Sequence, residues 1–189
     1  MKKALTNLTF SALFIALGLV LPLLTGQIQQ IGNMLLPMHI PVLLCGLICG
    51  WQYGAVVGFV LPFLRSAIFG MPPLFPTATA MAFELMAYGF LAGFLFSHAR
   101  WQCIRSLYRC LVIAMLGGRV VWGIAMTIML GVGENGFTFM AFLAGAFTNA
   151  IPGIILQLIL IPSVMLALDR THLVPFRKGS RKATENVAQ

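Results

Sequence analysis

The segment from Ile40 to Phe69 constrains the fold most, because it is almost continuously apolar and too long for one membrane-spanning helix. A single helix of this length would measure roughly 45 Å at 1.5 Å per residue. The hydrocarbon core of a bilayer is only about 30 Å thick. An interfacial aromatic pair and a glycine mark the middle of the segment, from Trp51 to Gly54. We therefore predict two short spans, 40–51 and 54–69, joined by a tight turn.

The composition places the rest of the chain in the membrane as well. The chain has 189 residues, of which 60% are hydrophobic and 8% are charged. A soluble domain of this size could not bury so much apolar surface. We predict an all-α membrane protein with a six-helix bundle over residues 1–170 and a basic, disordered cytoplasmic tail over 171–189. The four other spans are predicted at 5–24, 77–97, 110–132 and 139–168.

The positions of the lysines and arginines predict how the bundle is oriented. Outside the spans, these cations occur at Lys2 and Lys3, in the connector 98–109 and in the tail. No lysine or arginine occurs in the loops that alternate with these regions, at 25–39, 70–76 and 133–138. The positive-inside rule then puts both termini in the cytoplasm and gives six crossings of the cell membrane. The net charge of +8 is thus explained by topology, without nucleic acid as a partner.

Three ionisable side chains lie inside the predicted spans, namely Arg65, Glu84 and Arg119. Charges at membrane depth are costly and usually line a site or a pathway. Two arginines against one glutamate leave one positive charge unmatched, which a ligand carboxylate or phosphate could neutralise. The alternative is a structural Arg–Glu pair that only ties helices together. In that case Arg65, which is close to the end of its span, could reach the membrane interface.

Other polar residues could face the same cavity in the outer half of the bundle. The candidates are Asn149 in the last span and Gln30, Asn33 and His39 in the first outer loop. Two of them have simpler explanations, because His39 could cap a helix and Asn149 could satisfy the backbone that Pro152 leaves unpaired.

Catalytic and metal-binding motifs are missing from the sequence. It contains no HExxH, GxSxG or phosphate-binding GxxxxGK[ST] motif, and its four cysteines form no CxxC pair. Only one carboxylate lies in a predicted span, so no pair of carboxylates can form there. We therefore predict no enzyme activity, cofactor or metal, and we expect the energy for any transport to come from a partner or a gradient.

Small residues recur at a spacing of four, which lets helices approach closely in lipid. The glycines with this spacing are Gly46, Gly50, Gly54 and Gly58, followed by Gly89 and Gly93. Ala12 and Ala16 repeat the pattern on the first span, where they either pack internally or face another subunit.

Four segments resemble the S components of energy-coupling factor (ECF) vitamin transporters. They are Ser11–Ala16, Leu36–Val42, Pro76–Ala78 with Phe83–Leu85, and Gly118–Gly123, and the last three are most similar to the pantothenate-type branch. The resemblance implies a subunit of a bacterial cell membrane that captures a vitamin outside the cell. It also implies that this subunit associates with a membrane coupling subunit and two cytoplasmic ATPases. It also implies that Ala12 and Ala16 contact the coupling subunit and that the loop 25–39 covers the site.

On this interpretation a small anionic vitamin such as pantothenate is the expected substrate. The residues expected to bind it are Arg119, Arg65, Glu84, Asn149, His39, Asn33 and Gln30. Two alternatives stay open. One is another vitamin, such as riboflavin or a pyridoxine-like compound. The other is a stand-alone carrier with Glu84 as its proton site, although no inverted repeat supports it. A membrane enzyme is disfavoured by the missing catalytic pairs.

Overall fold

A computed structural model describes residues 2–24, 36–99, 102–131 and 151–170, which are mostly α-helical and contain no strand. Five helices are long and apolar enough to cross a membrane, and one has only 11 residues. The helices are α1 (Lys2–Leu24), α2 (His39–Cys49), α3 (Trp51–Phe69), α4 (Thr79–His98), α5 (Ile104–Leu130) and α6 (Ile151–Arg170). A short π-helical segment, Leu74–Ala78, leads into α4. The predicted all-α bundle is confirmed for this part of the chain.

The predicted division of the segment 40–69 is confirmed, but the break lies at Gly50 rather than at 51–54. Gly50 has φ of +104°, a backbone conformation that favours glycine. It reverses the chain so sharply that a Cβ added to Gly54 would lie 2.5 Å from the Cα of Gly46. The six predicted spans are therefore present as five long helices and the short α2. Of the predicted span 139–168, only the part from Ile151 lies within the described residues.

The first four helices of the bundle run antiparallel to their neighbours in sequence. Asn7 on α1 donates a hydrogen bond to the Cys49 carbonyl at 3.1 Å, at the far end of α2. On the next pair, Gly58 of α3 lies against the Leu85 carbonyl of α4. The ends of α1 and α3 and the starts of α2 and α4 therefore lie at the same end of the bundle. We call this the His39 end, after the first residue of α2.

Three helix backbones meet at a junction of glycines, formed by Gly46 of α2, Gly54 of α3 and Gly89 and Gly93 of α4. A Cβ added to Gly46 would overlap the carbonyl of Gly89, and one added to Gly89 would overlap the carbonyl of Gly54. The close approach predicted from the glycine spacing is thus confirmed at these positions. Gly50 is the exception, because no atom of the described residues lies within 4 Å of its added Cβ and the residue forms the turn instead.

The helix α1 is the least covered of the long helices. It packs on the bundle through Ser11, Phe14 and Gly18, and the Ser11 hydroxyl lies 3.6 Å from the Cys45 sulfur. Ala12 and Ala16 lie outside this contact and are exposed. These two alanines are thus available to a partner in the membrane.

Candidate functional site

Glu84 lies at the centre of a buried polar cluster that joins three helices. Its Oε1 is 2.9 Å from Nη1 of Arg119 on α5 and 3.5 Å from Nε2 of His39 on α2. Glu84 is 2% exposed, His39 is 1% exposed and Arg119 is 5% exposed. The structure therefore brings together three of the predicted site residues, each from a different helix.

Small residues and helix ends put these side chains in contact. Gly118, next to Arg119, lets α5 approach α4 so closely that a Cβ added there would lie 3.0 Å from the Tyr88 ring. His39 begins α2, and its backbone N–H donates to the Leu36 carbonyl at 3.1 Å. This start of the helix sets the depth at which the imidazole meets Glu84.

Arg119 uses only one nitrogen of its guanidinium on Glu84. Its Nε and Nη2 are buried and have no hydrogen-bond partner among the described residues. These two N–H groups share one edge of the planar guanidinium, and that edge can bind two acceptor atoms side by side. The ion pair with Glu84 therefore leaves Arg119 able to bind a further acceptor.

Arg65 lies apart from the cluster. It is 7% exposed and lies on the inward stripe of α3 that also carries Gly58 and Leu61. Its guanidinium carbon is 5.8 Å from the centroid of the Phe69 ring. Its Nη1 is buried without a hydrogen-bond partner among the described residues, and neither described carboxylate pairs with it. The one unmatched positive charge predicted from the sequence is thus located at Arg65 in this part of the chain.

The remaining predicted site residues, Gln30, Asn33 and Asn149, lie outside the described residues. Their contact with a ligand stays a prediction, as does that of Arg119, Arg65, Glu84 and His39. The same is true of the loop 25–39 as a cover over the site.

Two buried polar residues were not predicted from the sequence. Tyr88 is 1% exposed, and its ring meets that of His39 edge-on at 5.0 Å between centroids. Gln157 on α6 is 1% exposed, and its Nε2 has no hydrogen-bond partner in the described chain. Both carried a usable signal, because Tyr88 is one helical turn from Glu84 and Gln157 is the sole amide of its apolar helix.

Comparisons with known proteins gave one match. A family model described as "ECF transporter, substrate-specific component" matches residues 6–165. The search of curated proteins and the search of solved structures found no match. The matched range includes the Glu84 cluster, Arg65, Ala12 and Ala16.

Proposed function

The chain belongs to the family of ECF transporter substrate-specific components, and we propose that its substrate is a small anionic vitamin, with pantothenate as the leading candidate. Membership of the family makes the chain a multi-pass membrane transport subunit. It captures substrate and works with the membrane and ATPase subunits of an ECF module.

The observation that supports an anionic substrate is Arg65, a buried cation without a carboxylate partner among the described residues. An uncompensated charge held away from water is strongly destabilising. A ligand carboxylate would offset this cost through charge-assisted hydrogen bonds. Pantothenate carries one carboxylate, whereas riboflavin and pyridoxine are uncharged and would leave Arg65 unmatched. The charge balance therefore favours pantothenate over the two other vitamins.

The proposed topology has six crossings, both termini in the cytoplasm and the His39 end facing the outside. The connection from α3 to α4, which lies at this end, carries no lysine or arginine. The cations of the connector 98–109 follow α4, which ends at the opposite end of the bundle. This distribution agrees with the positive-inside rule. It would place Arg65 and the Glu84 cluster toward the side from which the vitamin arrives.

We expect the purified protein to bind pantothenate without ATP or any partner. Pantothenate should raise the melting temperature in detergent, because a ligand that binds only the folded state stabilises it. Riboflavin and pyridoxine should cause no shift under the same conditions. The measurement is a thermal-shift screen followed by isothermal titration calorimetry. A protein that responds to riboflavin or pyridoxine alone would contradict the proposal.

We further propose that Ala12 and Ala16 contact the membrane coupling subunit. The exposure of both alanines and their small size support this, because small residues four apart let two membrane helices approach closely. Replacing both with leucine should abolish co-purification with the ECF module and leave vitamin binding unchanged. Pull-down and calorimetry on the same preparation measure the two effects.

The matched control is Ala167→Leu, at an exposed alanine on α6. It adds the bulk of one alanine-to-leucine change to a different helix and should leave the complex intact. If Ala167→Leu disrupts the complex as much as the α1 substitutions do, α1 is not the specific contact.

A further inference from the structure

We propose that the site recognises its ligand at two poles, with the ligand carboxylate at Arg65 and a hydroxyl or amide group at the Glu84 cluster. This inference rests on the proposed function and adds an orientation to it. It also gives the two arginines different roles. Arg65 would bind the charged group of the ligand, and Arg119 would bind a neutral polar group.

The register of α3 against α4 sets the separation of the two poles along the helix axes. Gly58 on α3 lies against Leu85 on α4, and the two helices are antiparallel. Arg65 is two turns beyond Gly58 on the same buried stripe of α3. It is therefore level with Ala78, which is about 9 Å closer to the His39 end than Glu84, at 1.5 Å per residue. This offset favours a ligand that is elongated along the helix axes.

The local charges decide which pole takes the carboxylate. Arg119 already has the Glu84 carboxylate 2.9 Å from its Nη1. A second carboxylate on the free edge of Arg119 would lie close to Glu84, and two like charges in a medium of low polarity repel strongly. A ligand carbonyl or hydroxyl can accept from Nε and Nη2 of Arg119 without this repulsion. Arg65 has no competing carboxylate among the described residues, so it is the better partner for an anion.

The Glu84 cluster also suits a hydroxyl group for a second reason. Glu84 can accept a hydrogen bond from a hydroxyl while Arg119 donates one to the same oxygen. A ligand with both functions next to each other would satisfy the cluster from both sides. The chemical class that fits is a chain with a carboxylate at one end and hydroxyl and amide groups toward the other.

Pantothenate and panthenol test this orientation, because panthenol has a primary alcohol in place of the carboxylate and is otherwise the same. Calorimetry should show that Arg65→Gln weakens pantothenate binding roughly 10- to 100-fold, as expected for the loss of a charged hydrogen bond. The same variant should change panthenol binding by less than about threefold. Arg119→Lys keeps a cation beside Glu84 but loses the two-nitrogen edge. This variant should weaken the binding of both ligands by a similar factor.

The opposite pattern would overturn the inference. If Arg119→Lys selectively weakens pantothenate binding and Arg65→Gln weakens the binding of both ligands equally, the ligand carboxylate lies at Arg119. If Arg65→Gln does not fold, Arg65→Lys takes its place. This variant retains the charge but loses the planar guanidinium, so it should weaken pantothenate binding several-fold and leave panthenol binding unaffected. Equally weakened binding of both ligands would count against a ligand carboxylate at Arg65. Failure of the proposed function has a separate signature, because the unmodified protein would then bind neither ligand or would not prefer pantothenate.

Discussion

Replacing Arg119 with methionine should lower the free energy of unfolding by about 3–5 kcal/mol, because the change removes the cation paired with a buried carboxylate. Glu84 is 2% exposed, so water cannot take the place of the guanidinium. Methionine fills a similar volume, which limits the loss of packing. Unfolding in mixed micelles, followed by circular dichroism, measures the change.

Arg65→Met is the matched control for this prediction. Both substitutions remove a buried arginine, but Arg65 has no carboxylate partner in the described structure. Its replacement should cost little or should stabilise the protein in the absence of ligand. The double variant Glu84→Gln/Arg119→Met should recover part of the loss, because it removes both charges. Equal losses for Arg119→Met and Arg65→Met would contradict the assignment of the ion pair.

Gly89→Ala should destabilise the bundle by about 3 kcal/mol or more, at the upper end of what overpacking costs. The added Cβ would overlap the backbone carbonyl of Gly54, which cannot move without separating α3 from α4. Gel filtration in detergent and the unfolding midpoint report the effect. We expect most of the variant to aggregate.

Gly117→Ala provides the comparison within the same bundle. Among the described residues, its added Cβ would meet only the side chain of Leu91, at 2.5 Å. A leucine side chain can change rotamer, so this substitution should cost no more than about 1 kcal/mol. A Gly117→Ala variant as unstable as Gly89→Ala would show that backbone contact is not the cause.

The architecture was largely predictable because membrane thickness limits helix length. The segment 40–69 is too long for one span, so a break in it was expected. Its aromatic residues and glycine predicted a turn between the spans 40–51 and 54–69. The choice of Gly50 could not be predicted, because it depends on which glycines meet α4. The same spacing of four that predicted close packing included Gly50, which the structure uses as a turn.

The candidate site was only partly predictable. The presence of two arginines and one glutamate in the spans was visible in the sequence, but the choice of partner depends on tertiary contacts between α4 and α5. His39 was recognised as a candidate, although its 3.5 Å contact with Glu84 follows from where α2 begins. Tyr88 and Gln157 were missed because an aromatic or an amide in an apolar helix is easily taken for packing.

The glycine junction has a mechanical consequence. Where two backbones touch directly, no side chain lies between them that could change rotamer and let one helix slide past the other. We therefore expect α2, α3 and α4 to tilt together as one rigid unit. A displacement of this unit at one surface of the membrane would then also displace its end at the opposite surface.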